Sequence, residues 1–158
     1  RYKVKLNLGE VIYREKLIKN NYNGDAALII PVFDNGDVLM VVQPRVFSSR
    51  GVLLDFPSGY LEKGEDFICG AKRELEDQAD SIEKLTSYYQ DEGISDSMVT
   101  IYLARGLKKI SDVKLDEDEY LETYIVNIND LDELIKREYI KSGGGQLAIS
   151  LLKSKLNI

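Results

Sequence analysis

The side chains best suited to chemistry are oxygen ligands at helical spacing. Glu74, Asp77 and Gln78 stand at i, i+3 and i+4, which stacks two carboxylates and an amide oxygen on one helix face. Such a set suits Mg²⁺, a hard cation that takes oxygen ligands. Just upstream, a glycine-containing loop beginning at Gly59 runs off a strand into a helix N-terminus, an arrangement that favours an anion through backbone N–H groups and the helix dipole. The plain alternative is a solvated acidic helix face that holds nothing. Glu76 points about 200° around the helix from Glu74 and does not join the set. The chain has no histidine. That removes Ser-His-Asp and Cys-His catalysis, His-based zinc sites and imidazole general bases together. Hydrolytic chemistry, if present, falls to carboxylates and a hard cation.

From Gly59 to Ser81 the sequence resembles the Nudix box, G-x5-E-x7-R-E-U-x-E-E-x-G-U, in which U is a bulky aliphatic residue. Gly59, Glu65, Arg73, Glu74 and Leu75 fall in register. The likeness continues outside the box. Val41-Val42-Gln43-Pro44-Arg45 resembles the strand entering the substrate site of ADP-ribose pyrophosphatases, and Asp55-Phe56-Pro57-Ser58-Gly59 resembles their E-L-P-A-G segment. Leu115-Asp116-Glu117-Asp118-Glu119, followed by Glu122, resembles their acidic loop. Together these span roughly residues 10 to 152.

The resemblance implies roles position by position. Glu74, Asp77 and Gln78 stand where relatives ligate Mg²⁺ or Mn²⁺, and Ser58 where a backbone carbonyl adds a ligand. Arg73 is expected to pair with Glu65 and pin the loop to the helix. Arg45, Asp55 and Gly59 match substrate-binding positions. Glu117 or Glu119 is the general base or water-orienting acid, and the sequence does not choose between them. Glu74 and Gln78 count with them as catalytic positions. Without the resemblance, Arg45 reads as a solvated arginine, Asp55 as a turn acid and residues 116 to 119 as a solvated turn.

The second half of the box departs from the pattern. Asp77-Gln78-Ala79-Asp80-Ser81 stands where Glu-Glu-x-Gly-aliphatic is expected. Asp77 is one methylene short. Gln78 replaces a ligating carboxylate by a neutral amide, so the site loses a charge while keeping its shape, and hard cations depend on ligand charge. Slow or metal-fastidious activity is expected. Asp80 replaces the helix-ending glycine, where a left-handed residue would be strained. Cys69 on the box helix reads as a packed or half-buried thiol, since no activating base is evident.

The elements that must position these residues follow from hydrophobic period. Tyr2, Val4, Leu6 and Leu8 alternate and Val11-Ile12-Tyr13 follows, predicting one or two strands of an N-terminal sheet. Ala26 to Phe33 and Val38 to Val42 are apolar runs separated by Asp34-Asn35-Gly36-Asp37, a hairpin signal. Val52 to Phe56, Leu85 to Gln90, Val99 to Ala104 and Tyr120 to Ile128 are further predicted strands. Asp66 to Ala79 is predicted as a helix with an acidic first turn, and Asp130 to Arg137 as a short helix beginning at an Asn-Asp cap. Gly143-Gly144-Gly145 reads as a flexible connection before a closing amphipathic helix marked by Leu147, Leu151, Leu152 and Leu156. This order predicts an α+β chain layered as an α/β/α sandwich, the Nudix fold, with a mixed central sheet and an N-terminal antiparallel sheet.

A chain of 158 residues can close one core, so a single domain over 1–158 is expected. Arg1 rather than Met begins it, and a few preceding residues are expected. The net charge of −6 argues against nucleic acid as partner, because phosphate backbones are held by clustered Lys and Arg. It does not oppose a small nucleotide sugar whose charge a cation neutralises. One cysteine, no secretory h-region and no long apolar run predict a cytoplasmic protein without a membrane partner. The resemblance further implies a homodimer, with strands in residues 1–20 reaching the partner's site. A divalent-metal pyrophosphatase for an ADP-ribose-like substrate is the expected function. An inactive nucleotide-sugar sensor or scaffold is the alternative, and a modified nucleoside triphosphate a third, less favoured substrate.

Overall fold

The computed structural model describes residues 1–19, 23–44, 52–75, 79–107 and 122–158. In chain order the strands are β1 (Tyr2–Lys5), β2 (Val11–Arg14), β3 (Ala26–Val32), β4 (Val38–Pro44), β5 (Val52–Asp55), β6 (Ser58–Tyr60), β7 (Ala79–Tyr89), β8 (Met98–Leu107) and β9 (Glu122–Val126). Helix α1 (Phe67–Glu74) lies between β6 and β7. After β9 come a 3-10 turn (Ile128–Asp130), α2 (Leu131–Lys136) and α3 (Gly143–Leu156).

Seven strands form one mixed sheet along the path β5-β4-β3-β8-β7, with β6 also on β3 and β9 on β4. β3 and β8 run parallel, from Ala26 opposite Val99 to Val32 opposite Arg105, and the other pairs are antiparallel. β3 is apolar almost throughout because helices cover both faces of the sheet. Leu28, Ile30 and Val32 enter a core with Met40, Phe56, Ile101, Leu131 and, from α3, Ala148, Ile149 and Leu152. Ala27 and Ile29 face the other way, onto Leu61, Tyr102, Ala71 of α1 and Leu75 at its C-terminal cap. The layering is α/β/α. Among the described residues, no helix is long and apolar enough to cross a membrane.

The Asn-Gly hairpin forms as expected. Gly36 takes φ +88° and Phe33 N–H donates to Asp37 O at 2.9 Å, a positive φ that glycine adopts without strain. β1 and β2 pair as a separate two-stranded sheet, Tyr2 opposite Arg14. The segment that follows is tied to the β7–β8 connection by Leu17 N–H to Ile94 O and by ion pairs from Lys16 to Asp96 and Lys19 to Asp91.

Four local expectations need correction. α1 ends at Glu74, and Ala79 already lies in β7, opposite Leu107 of β8. The long β7–β8 ladder overrides the helix propensity of alanine, as tertiary pairing routinely does. Asp80 and Ser81 are therefore strand residues and not a helix cap, and among the described residues only Glu138 and Asn157 have positive φ without being glycine. The acid at the start of α1 is its cap, Asp66, which accepts from Cys69 N–H at 2.8 Å, and the first turn itself has none. Before α2, Asn127 caps the 3-10 turn through Asn129 N–H, while Asp130 makes no side-chain cap bond. Gly143, Gly144 and Gly145 form the first turn of α3 and not a connection, with Ser142 Oγ capping Gly145 N–H at 2.9 Å. Such a cap satisfies a backbone donor that the helix leaves unpaired.

Candidate active site

The site begins where β5 turns into β6. Phe56 is wholly buried and anchors the turn. Pro57 O accepts from Ile29 N–H at 2.9 Å, and β6 then pairs with β3, Ser58 opposite Leu28 and Gly59 opposite Ala27. These bonds lay Ser58 and Gly59 beside the C-terminal end of α1. The loop from Leu61 to Asp66 is folded on itself: Glu65 N–H donates to Glu62 O at 3.0 Å, and Glu62 N–H to Glu65 Oε2 at 2.9 Å. Leu61 packs onto α1 at Gly70, where an added Cβ would lie 2.3 Å from Leu61 Cδ2.

Arg73 binds the loop to the helix. Its Nε donates to Glu65 Oε1 and its Nη2 to Glu65 Oε2, both at 3.1 Å. Nη2 also reaches Tyr60 O at 2.9 Å, and Nη1 reaches Glu74 Oε1 at 2.6 Å. The fork geometry of guanidinium makes this two-point grip possible. The Glu65 side chain is only 13% exposed, so this is not a freely solvated pair. The expected Glu65–Arg73 contact is thus present, with two further acceptors that the sequence did not indicate. Gly70 was also unmarked by the box, although a glycine inside a helix signals close packing.

Hydrogen bonding from Arg73 lowers the Glu65 pKa below the ordinary glutamate value of 4.5, assisted by Glu62 N–H and opposed by burial. The Arg73 pKa rises correspondingly, through its hydrogen bond to Glu65 first. A depressed acid pKa contributes stability that is fully present above the unfolded value and lost as pH falls through the folded one. We therefore expect stability to fall below about pH 4.5, and Glu65→Gln to flatten that part of the profile. Chemical denaturation between pH 6 and 3 checks this; an unchanged acid slope in the variant would show that the clamp contributes nothing.

Glu74 comes next in the helix and turns its carboxylate onto Gly59. A Cβ added at Gly59 would lie 2.1 Å from Glu74 Oε1 and 2.2 Å from Glu74 Cδ. Only a glycine leaves room for that carboxylate beside the loop. This cradle fits a divalent cation: it aims a carboxylate oxygen at a loop whose carbonyls can add ligands. Among the described residues no three His, Cys, Asp or Glu side chains gather as a metal cluster. Arg45, Asp77, Gln78, Glu117 and Glu119 lie outside the described residues. Ser58 is exposed beside Gly59. Asp55 is half-buried at the end of β5, accepts from Phe56 N–H at 2.9 Å and faces the first turn of α3. Cys69 is exposed, contrary to the expected packing, and its thiol pKa is raised by hydrogen bonding to Asp66. It is no activated nucleophile.

A mixed sheet between helical layers, with a strand–loop–helix closed by a glutamate–arginine clamp, is the architecture of a Nudix hydrolase. The chain belongs to the Nudix domain family, whose profile matches residues 23–143. It is 33% identical over 135 residues to an ADP-ribose pyrophosphatase of Bacillus subtilis (strain 168), covering 82% of this chain and 72% of that protein. It is 30% identical over 133 residues to a methanol dehydrogenase activator of Bacillus methanolicus, covering 81% of this chain and 71% of that one. The fold is shared with a crystal structure of an ADP compounds hydrolase at a TM-score of 0.80 and 20% identity, over 98% of this chain and 83% of that one. The chain is a Nudix hydrolase of the ADP-ribose pyrophosphatase-like kind.

Proposed function

We propose that this chain, as one domain, is a divalent-metal-dependent pyrophosphatase for a nucleoside diphosphate linked to a second moiety, with ADP-ribose the first substrate to test. One observation carries the reading: in a Nudix hydrolase, the Glu74 carboxylate lies against Gly59, held by an Arg73 that also grips Glu65. In this reading Glu74, Asp77, Gln78 and the Ser58 carbonyl hold Mg²⁺ or Mn²⁺. Bound there, the cation would neutralise phosphoryl charge and make water more acidic. Arg45 and Gly59 contact the substrate. Asp55, matched to a substrate-binding position, serves it from the end of β5 by supporting the site rather than by touching the ligand. Glu117 or Glu119 takes a proton from the attacking water. A phosphorus–oxygen bond forms to water as the bridging one breaks, so ADP-ribose yields AMP and ribose 5-phosphate. The single cysteine suits cytoplasmic conditions, and the acidic net charge suits a small nucleotide sugar better than nucleic acid.

Gln78 is neutral where the family pattern has a carboxylate. Restoring the charge by Gln78→Glu is expected to raise Mg²⁺-supported kcat by about tenfold or more, since hard-cation binding follows ligand charge. Hydrolysis of a nucleotide-sugar panel with Mg²⁺ and with Mn²⁺, by both proteins, measures this. Ligand binding by both without turnover by either would defeat the pyrophosphatase reading. It would favour instead a nucleotide-sugar sensor or scaffold, the second reading, to which the 30% identity with an activator protein lends support.

The β1–β2 hairpin supports a homodimer. Its apolar residues point outward, Leu8 at 93% exposure and Tyr2 at 51%, and an isolated two-stranded sheet is marginal in water without a partner surface. Light scattering across a concentration series should report twice the mass of 17.9 kDa. A monomer at all concentrations would remove the dimer from this reading.

A further inference from the structure

We infer that Asp55 is a positioning residue, which ties Ser58 and Gly59 of β6 to the first turn of α3, and that Gly145 is a glycine to admit this contact. The inference rests on the pyrophosphatase reading for its activity readout only. A Cβ built at Gly145 would lie 2.7 Å from Asp55 Oδ1 and 2.7 Å from Ser142 Oγ. At Gly144 it would lie 2.3 Å from the Tyr88 hydroxyl oxygen, whereas at Gly143 nothing stands within 4 Å. Two of three consecutive glycines are therefore packed against side chains from β5 and β7, and the third is not.

The same Asp55 oxygen accepts from Phe56 N–H at 2.9 Å. A negative carboxylate at a helix N-terminus is held by the partial positive charge of the unpaired N–H groups there. Asp55 thus lies against the first turn of α3 on one side and holds the start of the β5–β6 turn on the other. From Phe56 the chain runs through Pro57, whose carbonyl is fixed by Ile29 N–H, to Ser58 and to the Gly59 on which Glu74 rests. Leu54 N–H supports the same alignment by donating to Tyr139 O at 3.2 Å, in the segment leading to α3. Asp55 acts on the site through the backbone of residues 56 to 59.

The test uses the whole chain with three variants, Asp55→Asn, Asp55→Ala and Gly145→Ala. Asp55→Asn keeps size and an acceptor, so a readable protein remains should the alanine variants fail to fold. Mn²⁺ alone is titrated against each, ADP-ribose is titrated in EDTA, and kcat and KM are measured with saturating Mn²⁺. We expect Asp55→Ala and Gly145→Ala each to weaken Mn²⁺ binding and lower kcat by about tenfold or more, the range seen for residues supporting metal ligands. Asp55→Asn should fall between them and wild type. ADP-ribose affinity in EDTA should stay within about twofold, and the Asp55→Ala/Gly145→Ala double variant should be no worse than the single variants, because both break one contact. Weakened ADP-ribose binding in EDTA with wild-type Mn²⁺ affinity would overturn the inference and place Asp55 on the ligand. Additive losses, or no loss, would overturn it too. Should the wild type itself neither cleave ADP-ribose nor hold Mn²⁺, the pyrophosphatase reading fails by itself. The inference is then read from the Gly59 and Tyr60 amide resonances, which must shift in both Gly145→Ala and Asp55→Asn for it to stand.

Discussion

Glu74→Gln is expected to lower pyrophosphatase turnover by about 100-fold or more, because a held cation supplies several kcal/mol to such reactions and the proposed ligand loses its charge. The substitution is nearly isosteric. The amide can still lie against Gly59, and its oxygen can still accept from Arg73 Nη1, the 2.6 Å contact of the native protein. Arg73 keeps its two-point hold on Glu65 and its bond to Tyr60 O. Folding should therefore be little changed, and thermal melting separates loss of function from loss of structure. Mn²⁺ titration of the variant supplies a reading independent of substrate. Wild-type turnover and Mn²⁺ affinity in Glu74→Gln would mean that this carboxylate is only the inner half of an ion pair.

Gly59→Ala is expected to cost activity without costing much stability. The new methyl would stand 2.1 Å from Glu74 Oε1 and 2.5 Å from Oε2, so the carboxylate must move. It can, since it ends a flexible side chain. Gly59 is not among the glycines with positive φ, so alanine meets no backbone strain there. The stability change should stay within about 1 kcal/mol, the usual range when neither core nor backbone is disturbed. A carboxylate displaced by about 1 Å can cost on the order of 100-fold in rate, because catalysis depends on held geometry. Activity and urea denaturation measured on the same preparation decide the matter. A fully active Gly59→Ala would show that the cradle does not set the position of Glu74, and an unfolded one that the loop cannot yield.

Both expectations could be framed from sequence only in part. The register of Gly59, Glu65, Arg73 and Glu74 was legible through the resemblance to the Nudix box, which implied the contact between residues 65 and 73. The closeness of Glu74 to Gly59 was not, because it depends on how β6 docks on β3 while α1 packs over β3 and β8. Asp55 shows the same limit more sharply. Its place at the end of a strand was readable, but the group it faces, Gly145, is 90 residues away in the chain.

What the sequence determined by itself was local and periodic: the strand runs, the Asn35-Gly36 hairpin, the start of α1 and the amphipathic stripe of α3. Each follows from side-chain period or backbone preference within a short window. What the tertiary structure decided was where local preference had a long-range competitor. α1 stops at Glu74 because β8 captures the chain from Ala79 onward. Glycines 143 to 145 become helix because Ser142 caps them and α3 buries Ala148, Ile149 and Leu152 against the sheet. Burial and strand pairing act between segments far apart in sequence, so no local window contains them, and they outweigh the fraction of a kcal/mol by which most residues prefer one local conformation to another.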